Sequence, residues 1–466
     1  MKIKTLKWSM FVVTAIGNFI AMLDSSSVTL ALYPMAVNLN VSIHQIQWVM
    51  VAYMLVLTVL LPFFGKLGDI FSKNKLYSTG FAIFAIGALL SAFSTSFVML
   101  ISFRCLEAIG ASIMLSNAQA IIATIFRGQR RGKALGLNGC FVAIGGVTGP
   151  ALGGILIHYF GWHSIFLPSV ITGVLGFYFA KQLLPHHINT EIKNFKFDYK
   201  GFIYFTISLF ALLLAIAQGH EWGWKSVRII ILGITTLIFG GLFYFRDHKI
   251  NYPMINFKLF KIRAFTFGNL AVMTAYMAMF TNSILLPFFL QEIQGHNSMT
   301  AGLLILSYSA VLSVVAPIAG RLSGKYGSRY LTLAGASVYC MALFLFVIFS
   351  TKAPMWQIVV ASGIMGIGNG LFQSPSNNAI MTSVEKTELG IASGILALSR
   401  NLGNILGVAV TITLFQSFRN LFLADGKIYE TAFMYSYRIT MCFGILFGLT
   451  CLTFAYFAYK DKAIRR

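Results

Sequence analysis

The stretch WSMFVVTAIGNFIAMLDSSSVTLAL, from Trp8 to Leu32, is long and mostly apolar, with Asp24 as its one charged residue. An α-helix needs about 20 mostly apolar residues to cross the hydrocarbon core of a membrane. A secretory signal peptide has a shorter apolar region, followed by a cleavage site of small residues. The length of this stretch and the presence of Asp24 therefore predict a retained membrane-spanning helix.

Similar apolar stretches follow one another along the rest of the chain. Hydrophobic residues make up 57% of the sequence and charged residues 10%, whereas soluble domains carry about 45–50% and about 25%. We predict an all-α polytopic membrane protein with fourteen transmembrane helices. The predicted spans are Trp8–Leu32, Ile46–Phe64, Leu76–Phe93, Phe97–Ile125, Gly132–Tyr159, Ser164–Leu184, Gly201–Gly219, Val227–Phe245, Phe265–Leu290, Ala301–Gly320, Tyr330–Phe349, Met355–Met381, Gly390–Phe415 and Ala432–Tyr459.

The net charge of +22 has a topological explanation. With the N-terminus inside, most of the 35 Lys and Arg residues fall in the loops and tail on the cytoplasmic side. Cytoplasmic loops of membrane proteins carry such an excess of basic residues. The pattern predicts that both termini are cytoplasmic, and it argues against a nucleic-acid partner.

Motifs of soluble enzymes are missing from the sequence. None of its Gly-Lys pairs is followed by Ser or Thr, so the chain lacks the phosphate-binding loop of an ATPase. The five cysteines form no Cys-x-x-Cys pair and lie in apolar segments, which is typical of small buried residues. No nucleophile–base pair or set of metal ligands suggests a membrane enzyme.

A weak internal repeat divides the chain. GKLGDIFSKNKLY begins at Gly65 after the second span, and GRLSGKYGSRYL begins at Gly320 after the tenth. Many secondary transporters are built from such internal repeats. We predict an N-terminal six-helix bundle over residues 1–184, a linker over 185–263 with two extra helices at about 201–219 and 227–245, and a C-terminal bundle with a short basic tail over 264–466.

Seven motifs occur in the order found in one group of transporters. They are LDSSSVTLAL from Leu23, WVMVAYML from Trp48, RCLEAIGA from Arg104, GGVTGPALGG from Gly145, EWGW from Glu221, PMINFKLF from Pro253 and SRNLG from Ser399. Together they resemble the 14-helix drug:proton antiporter branch of the major facilitator superfamily, over nearly the whole chain. The resemblance implies two six-helix bundles with two extra central helices, and drug export driven by protons.

Several positions depart from the pattern of that branch, among them Ser72 and Ala108, where the family usually has Gly. Ile70 follows Asp69 where the family usually has Arg, and Gly324 occupies a position in the second copy where an acid is common. Glu107 replaces the usual Gln of the fourth-helix motif. The differences at Ile70 and Gly324 weaken the expectation of charge-pair gating at these loops.

Only two of the thirteen acids, Asp24 and Glu107, fall well inside predicted spans. An intramembrane charge is costly and is by default a candidate functional site. We predict that both acids bind and release protons or cations. Alternatively, hydrogen bonds from Ser25 and Ser27 keep Asp24 permanently charged, and Glu107 only pairs with Arg104, three residues away on the same helix. The resemblance assigns Arg104 to the proton relay.

Two further groups of residues are candidates for conformational change and for substrate contact. The first group contains helix-contact glycines, one proline and two charged residues: Gly65, Asp69, Gly145, Gly149, Pro150, Gly153, Gly154 and Arg400. The second consists of polar, aromatic and Met side chains within spans, which suit amphipathic ligands: Asn18, Met22, Tyr53, Asn117, Asn138, Tyr276, Asn282, Tyr308, Asn369, Gln373 and Asn377.

The expected function is proton-coupled export of amphipathic, often cationic drugs by alternating access. We expect a monomer in the plasma or inner membrane of a bacterium, surrounded by lipid. It should need no metal and no cofactor, because the proton gradient drives transport. A dedicated exporter of an endogenous metabolite, siderophore or lipid is the alternative within transport. A membrane scaffold or sensor is a second class, although a scaffold gains nothing from buried midplane charges.

Overall fold

The computed structural model describes residues 2–41, 43–126, 129–184, 198–250, 255–296 and 298–459. Fourteen α-helices account for nearly all of these residues. They are α1 Lys2–Asn38, α2 Ile43–Ile70, α3 Lys73–Ala92, α4 Phe97–Ile125, α5 Gln129–Phe160, α6 Leu167–Leu183, α7 Tyr199–Trp222, α8 Val227–Asp247, α9 Arg263–Phe288, α10 Ser298–Tyr326, α11 Ser328–Val347, α12 Met355–Thr382, α13 Leu389–Ala424 and α14 Tyr429–Ala458. Short 3-10 segments cover Trp162–Phe166, Phe257–Lys261 and Lys386–Glu388, and a π-helical turn covers Phe289–Ile293.

Within the described ranges, thirteen of these helices are long and apolar enough to cross a membrane. The remaining one, α5, coincides with the fifth predicted span. The chain is therefore an all-helical, multi-pass membrane protein. The count of fourteen spans and the cytoplasmic position of both termini stay predictions.

The largest shift of a single predicted boundary is at the end of α13. The apolar pattern predicts an end at Phe415, whereas the helix continues to Ala424. No Gly or Pro interrupts residues 416–424, and the helix stops just before Gly426, whose φ of 78° is the left-handed value typical of helix ends. Helix propensity carries α13 past the end of the apolar pattern.

Packing divides the chain into two compact units. The first comprises Met1–Arg127, Phe141–Phe257 and Val384–Leu398, and the second comprises Gly128–Cys140, Lys258–Ser383 and Ser399–Arg466. Two helices, α5 and α13, therefore contribute one part to each unit. The helices of the predicted linker, α7 and α8, belong to the first unit.

Each unit has its own helix pairs and its own apolar core. In the first unit α4 packs on α2 and α3, and α3 also packs on α6; Met35, Trp162 and Phe166 lie in one of its buried clusters. In the second unit α12 packs on α10 and α11, and α14 packs on α9 and α11. Phe289 and Tyr437 stack within the core of this unit, with ring centroids 5.4 Å apart.

The α7–α8 pair docks on the first unit through aromatic and ionic contacts. Phe202 of α7 stacks on Phe63 of α2, with ring centroids 4.2 Å apart. Asp198 accepts hydrogen bonds from the backbone N–H of Gly201, at 3.0 Å, and from Arg246 Nε, at 2.8 Å, and so joins the start of α7 to the end of α8. Nine large apolar side chains of α8 are exposed and only three of its residues are buried, as a lipid-facing helix requires.

Candidate functional site

Three ionisable side chains meet inside the first unit. Arg104 Nη1 lies 2.6 Å from Asp24 Oδ2 and 2.7 Å from Glu107 Oε2. One nitrogen of a guanidinium on α4 therefore serves two carboxyl groups, one from α1 and one from its own helix. The contact between Arg104 and Glu107 follows from their three-residue spacing on a helix.

Two further helices complete this ion cluster of Asp24, Arg104 and Glu107. Ser169 of α6 donates a hydrogen bond to Asp24 Oδ1 at 3.1 Å. The Tyr53 ring of α2 covers the Arg104 guanidinium, with 4.2 Å between its carbon and the ring centroid. Side chains from α1, α2, α4 and α6 thus enclose the cluster, and all five residues are at most 2% exposed.

The composition of the cluster fixes its charge states. Two ionised carboxylates and one guanidinium carry a net charge of −1, and one bound proton makes the group neutral. Burial penalises a net charge, whereas the neutral group still has Arg104 paired. Glu107 Oε1 has no hydrogen-bond partner among the described residues, so this oxygen is available to carry or accept a proton. The geometry suits the exchange of a single proton.

The glycines of α5 support the turn of α1 that carries Asp24. Gly145 lies against the backbone carbonyl of Phe19, and a β-carbon at Gly149 would lie 2.7 Å from the carbonyl oxygen of Leu23. Ser27 donates to the carbonyl oxygens of Leu23, at 2.8 Å, and Gly149, at 2.9 Å. The hydroxyl of Ser27 is therefore bonded to backbone. Ser169, which no sequence motif singles out, is a hydroxyl donor to Asp24.

Two other glycines of this motif also face α1. Gly153 faces Ser27, and Gly154 faces Leu30. The side chain of Pro150 lies outside the described part of the chain. The glycines act as a contact surface for α1, and their predicted role in conformational change stays a prediction.

The remaining substrate candidates of the first unit differ in their surroundings. Asn117 donates to the carbonyl oxygens of Phe64, at 3.1 Å, and Ile113, at 3.0 Å. These bonds tie α4 to α2, which gives Asn117 a structural task. Asn18 is buried and Met22 is half-buried on α1.

In the second unit, several substrate candidates form one polar group. Gln373 Nε2 donates to the hydroxyl of Tyr276 at 2.5 Å, and Asn369 donates to the hydroxyl of Tyr308. Asn282 Nδ2 lies 3.3 Å from the sulfur of Met365. Helices α9, α10 and α12 thus bring amide, hydroxyl and thioether groups together. Asn138 and Asn377 are buried elsewhere in this unit.

Asp69 caps the start of α13 within the first unit. Its carboxylate oxygens accept hydrogen bonds from the backbone N–H of Gly390, at 2.6 Å, and of Ile391, at 2.7 Å. Lys73 Nζ lies 3.9 Å from the same carboxylate. A carboxylate at a helix N-terminus satisfies free N–H groups and the positive end of the helix dipole. Asp69 is therefore a latch between α2 and α13.

Close glycine contacts accompany this latch and recur in the second unit. A β-carbon at Gly65 would sit 2.6 Å from the carbonyl oxygen of Gly390. In the second unit, Gly320 of α10 lies directly against Gly132 of α5 in the same way. The two glycine steps, Gly65–Gly390 and Gly320–Gly132, follow the repeat in the sequence. Gly324 stands where Asp69 stands in the first copy, so the second step has no carboxylate at that position.

We expect Asp69→Ala to loosen the start of α13, because two backbone N–H groups lose their acceptor. Loss of such a cap costs about 0.5–2 kcal/mol, which corresponds to about 2- to 30-fold faster local opening. Hydrogen–deuterium exchange of peptides containing Gly390 and Ile391 measures this. Asp69→Asn keeps one acceptor oxygen, so its exchange rate should lie between those of the unaltered protein and Asp69→Ala. Unchanged exchange in Asp69→Ala would show that the latch does not hold α13.

Arg400 lies beside the seam between α13 and α9. Ser399 hydrogen-bonds Asn269 at 3.2 Å, and Gly403 packs against Met273. Arg400 is half-buried, and its Nε and Nη2 have no hydrogen-bond partner among the described residues. Its predicted conformational role stays a prediction.

The model of the family described as the Major Facilitator Superfamily matches residues 14–196 and 268–464. The chain is 34% identical over 463 residues to the riboflavin transporter RibZ of Clostridioides difficile, covering 98% of this chain and 99% of that protein. It is 28% identical over 400 residues to the multidrug resistance protein Stp of Mycobacterium tuberculosis, covering 86% and 74%.

A solved structure has the same fold at low sequence identity. The proton:xylose symporter XylE, bound to 6-bromo-6-deoxy-D-glucose, superposes with a TM-score of 0.64 at 15% identity, covering 96% of this chain and 95% of XylE. At this identity the likeness concerns the fold alone.

Proposed function

Because the chain belongs to the Major Facilitator Superfamily, and is thus a membrane transporter and not an enzyme, we propose that it exports amphipathic, often cationic drugs in exchange for protons. We assign it to the 14-helix drug:proton antiporter branch. The observation that carries this proposal is the ion cluster of Asp24, Arg104 and Glu107, buried in the first unit. A buried group with one exchangeable proton is what proton coupling needs.

The proposed cycle follows from the two charge states of the cluster. After losing its proton to the cytoplasm, the cluster carries a net charge of −1 and attracts a cationic substrate. A proton arriving from outside neutralises the cluster, weakens the attraction and releases the substrate. Alternating access then returns the empty carrier, with Asp69 and the glycine steps as contacts that break and reform. The proton gradient alone supplies the energy, without a metal or another cofactor.

The proposed location of the protein is the plasma or inner membrane of a bacterium, where it is a monomer. Several named relatives come from bacteria, including one called a multidrug resistance protein. Substrates and protons are then the partners of the chain, with lipid around it.

The test is ethidium transport by purified protein in liposomes with an imposed pH gradient. We expect uphill ethidium movement that requires the gradient, with one proton exchanged per ethidium because Arg104 neutralises one of the two carboxylates. A measured ratio of two would show that both acids exchange protons. If no organic cation moves in a gradient-dependent way, drug export is contradicted.

A dedicated metabolite exporter is the second candidate, and one comparison favours it. The relative that matches over nearly its full length, at 34% identity, is named as a riboflavin transporter. In the same liposomes, riboflavin movement without ethidium movement would favour this candidate over drug export.

A further inference from the structure

The second unit contains a cavity between α9, α10 and α12. Its lining includes Met279, Asn282, Tyr308, Ser362 and Met365. None of the residues that line it is acidic or basic. The ion cluster lies in the first unit, so this cavity has a chemistry of its own.

Two buried polar atoms of the lining have no partner. Asn282 is 4% exposed and Ser362 is 2% exposed, yet Asn282 Oδ1 and Ser362 Oγ accept or donate no hydrogen bond within the described structure. A buried polar atom left unpaired costs about 1–3 kcal/mol. A ligand that pairs with both atoms would recover this cost.

The neighbour of Asn282 fixes which atom is free. Asn282 Nδ2 lies 3.3 Å from the sulfur of Met365. A thioether sulfur accepts hydrogen bonds weakly and donates none, so the amide nitrogen belongs on that side. The unpaired atom is therefore the carbonyl oxygen, and it requires a donor from the ligand.

Met279 separates this cavity from a second one. The second cavity is lined by Tyr276, Tyr339 and Phe372 among others, and Met279 lines both. The sulfur of Met279 lies 3.4 Å from the hydroxyl of Tyr308. Methionine is flexible and adapts to ligands of different shapes, so rotation of this side chain would join the two cavities into one aromatic-lined space.

We propose that this cavity binds one edge of a neutral, planar nitrogen heterocycle, which donates an N–H to Asn282 Oδ1 and shares a hydrogen bond with Ser362 Oγ. The ring stacks against Tyr308 and the methionine side chains. A cation would find no counter-charge here, which is why the heterocycle is neutral. This inference rests on the proposed transport function, and of its two candidates it favours the dedicated exporter of a neutral metabolite over the export of cations.

Riboflavin and 3-methylriboflavin are the probes, because they differ in one ring N–H. Binding is measured by flavin fluorescence on purified, full-length protein in detergent, without a gradient. We expect riboflavin to bind the unaltered protein about tenfold more tightly than 3-methylriboflavin does. Asn282→Leu should weaken riboflavin binding about tenfold and remove the difference between the two flavins.

Two other variants support the measurement. Ser362→Ala should weaken riboflavin binding severalfold and serves if Asn282→Leu does not fold, as judged by gel filtration and melting. Tyr437→Phe is the matched control. It removes another buried hydroxyl without a described partner in the second unit, outside both linings, and should leave binding unchanged.

The outcomes separate this inference from the proposed function. Any of three results overturns the cavity assignment, even if ethidium export proceeds. These are absent riboflavin binding, equal binding of the two flavins, and unchanged binding in both Asn282→Leu and Ser362→Ala. Binding that follows the expected pattern, without gradient-driven transport of ethidium or riboflavin, supports the cavity and overturns the transport mechanism.

Discussion

In liposomes that carry the Asp24→Asn variant, we expect the rate of gradient-driven ethidium export to fall to about one hundredth of that of the unaltered protein, or less. The substitution leaves Arg104 and Glu107 as a neutral pair, so the cluster has no proton left to exchange. It also removes the carboxylate that links α1 to Arg104, at 2.6 Å, and to Ser169, at 3.1 Å. A hydrogen bond to a charged group contributes about 1.5–3 kcal/mol, and each ~1.4 kcal/mol changes an equilibrium tenfold.

Two measurements make this prediction specific. Ethidium binding without a gradient, together with melting temperature, separates a coupling defect from a folding defect. Glu107→Gln is the matched variant, because it also leaves Arg104 with one carboxylate and no exchangeable proton, but keeps the bridge from Asp24 to Arg104 and Ser169 in place. It should lose gradient-driven export as Asp24→Asn does, with a smaller loss of melting temperature. Uphill export by Asp24→Asn at the unaltered rate would remove Asp24 from the coupling mechanism.

The second large effect concerns folding stability. Arg104→Gln should destabilise the protein by about 3–5 kcal/mol, because it leaves two buried carboxyl groups without their cation. Adding Glu107→Gln removes one of these acids and should restore much of the loss. Thermal melting in detergent and the yield of monodisperse protein report both changes.

Arg400 provides the control for this experiment. It also lies within a span, but it forms no ion pair among the described residues. Arg400→Gln should therefore lower the melting temperature far less than Arg104→Gln. Equal losses in the two variants, or no rescue by Glu107→Gln, would show that the ion cluster does not stabilise the first unit.

The helices were largely predictable from the sequence because apolar length is a strong signal. The third helix, for example, was predicted over Leu76–Phe93 and is observed over Lys73–Ala92. The division of α5 and α13 between the two units could not be predicted. It depends on glycine contacts between residues hundreds of positions apart, such as Gly65 and Gly390, and no local pattern encodes such a pairing.

The site was predictable only in part. Spacing on one helix placed Glu107 beside Arg104, and intramembrane charge singled out Asp24. That Asp24 shares a guanidinium nitrogen with Glu107 depends on helix packing across 80 residues. Ser169 and Ser362 are ordinary helix serines in sequence, and only the burial of their surroundings distinguishes them.

The two glycine steps also bear on how the halves of the chain have diverged. Both copies of the repeat keep a residue without a side chain at the contact, Gly65 in one and Gly320 in the other, whereas the acid at Asp69 is matched by Gly324. The close backbone contact is therefore present in both copies, and the carboxylate in one. One of the two helix contacts is thus strengthened by a carboxylate, and the other depends on close packing alone. Mutation of Asp69 can therefore change the strength of the first contact without altering the second.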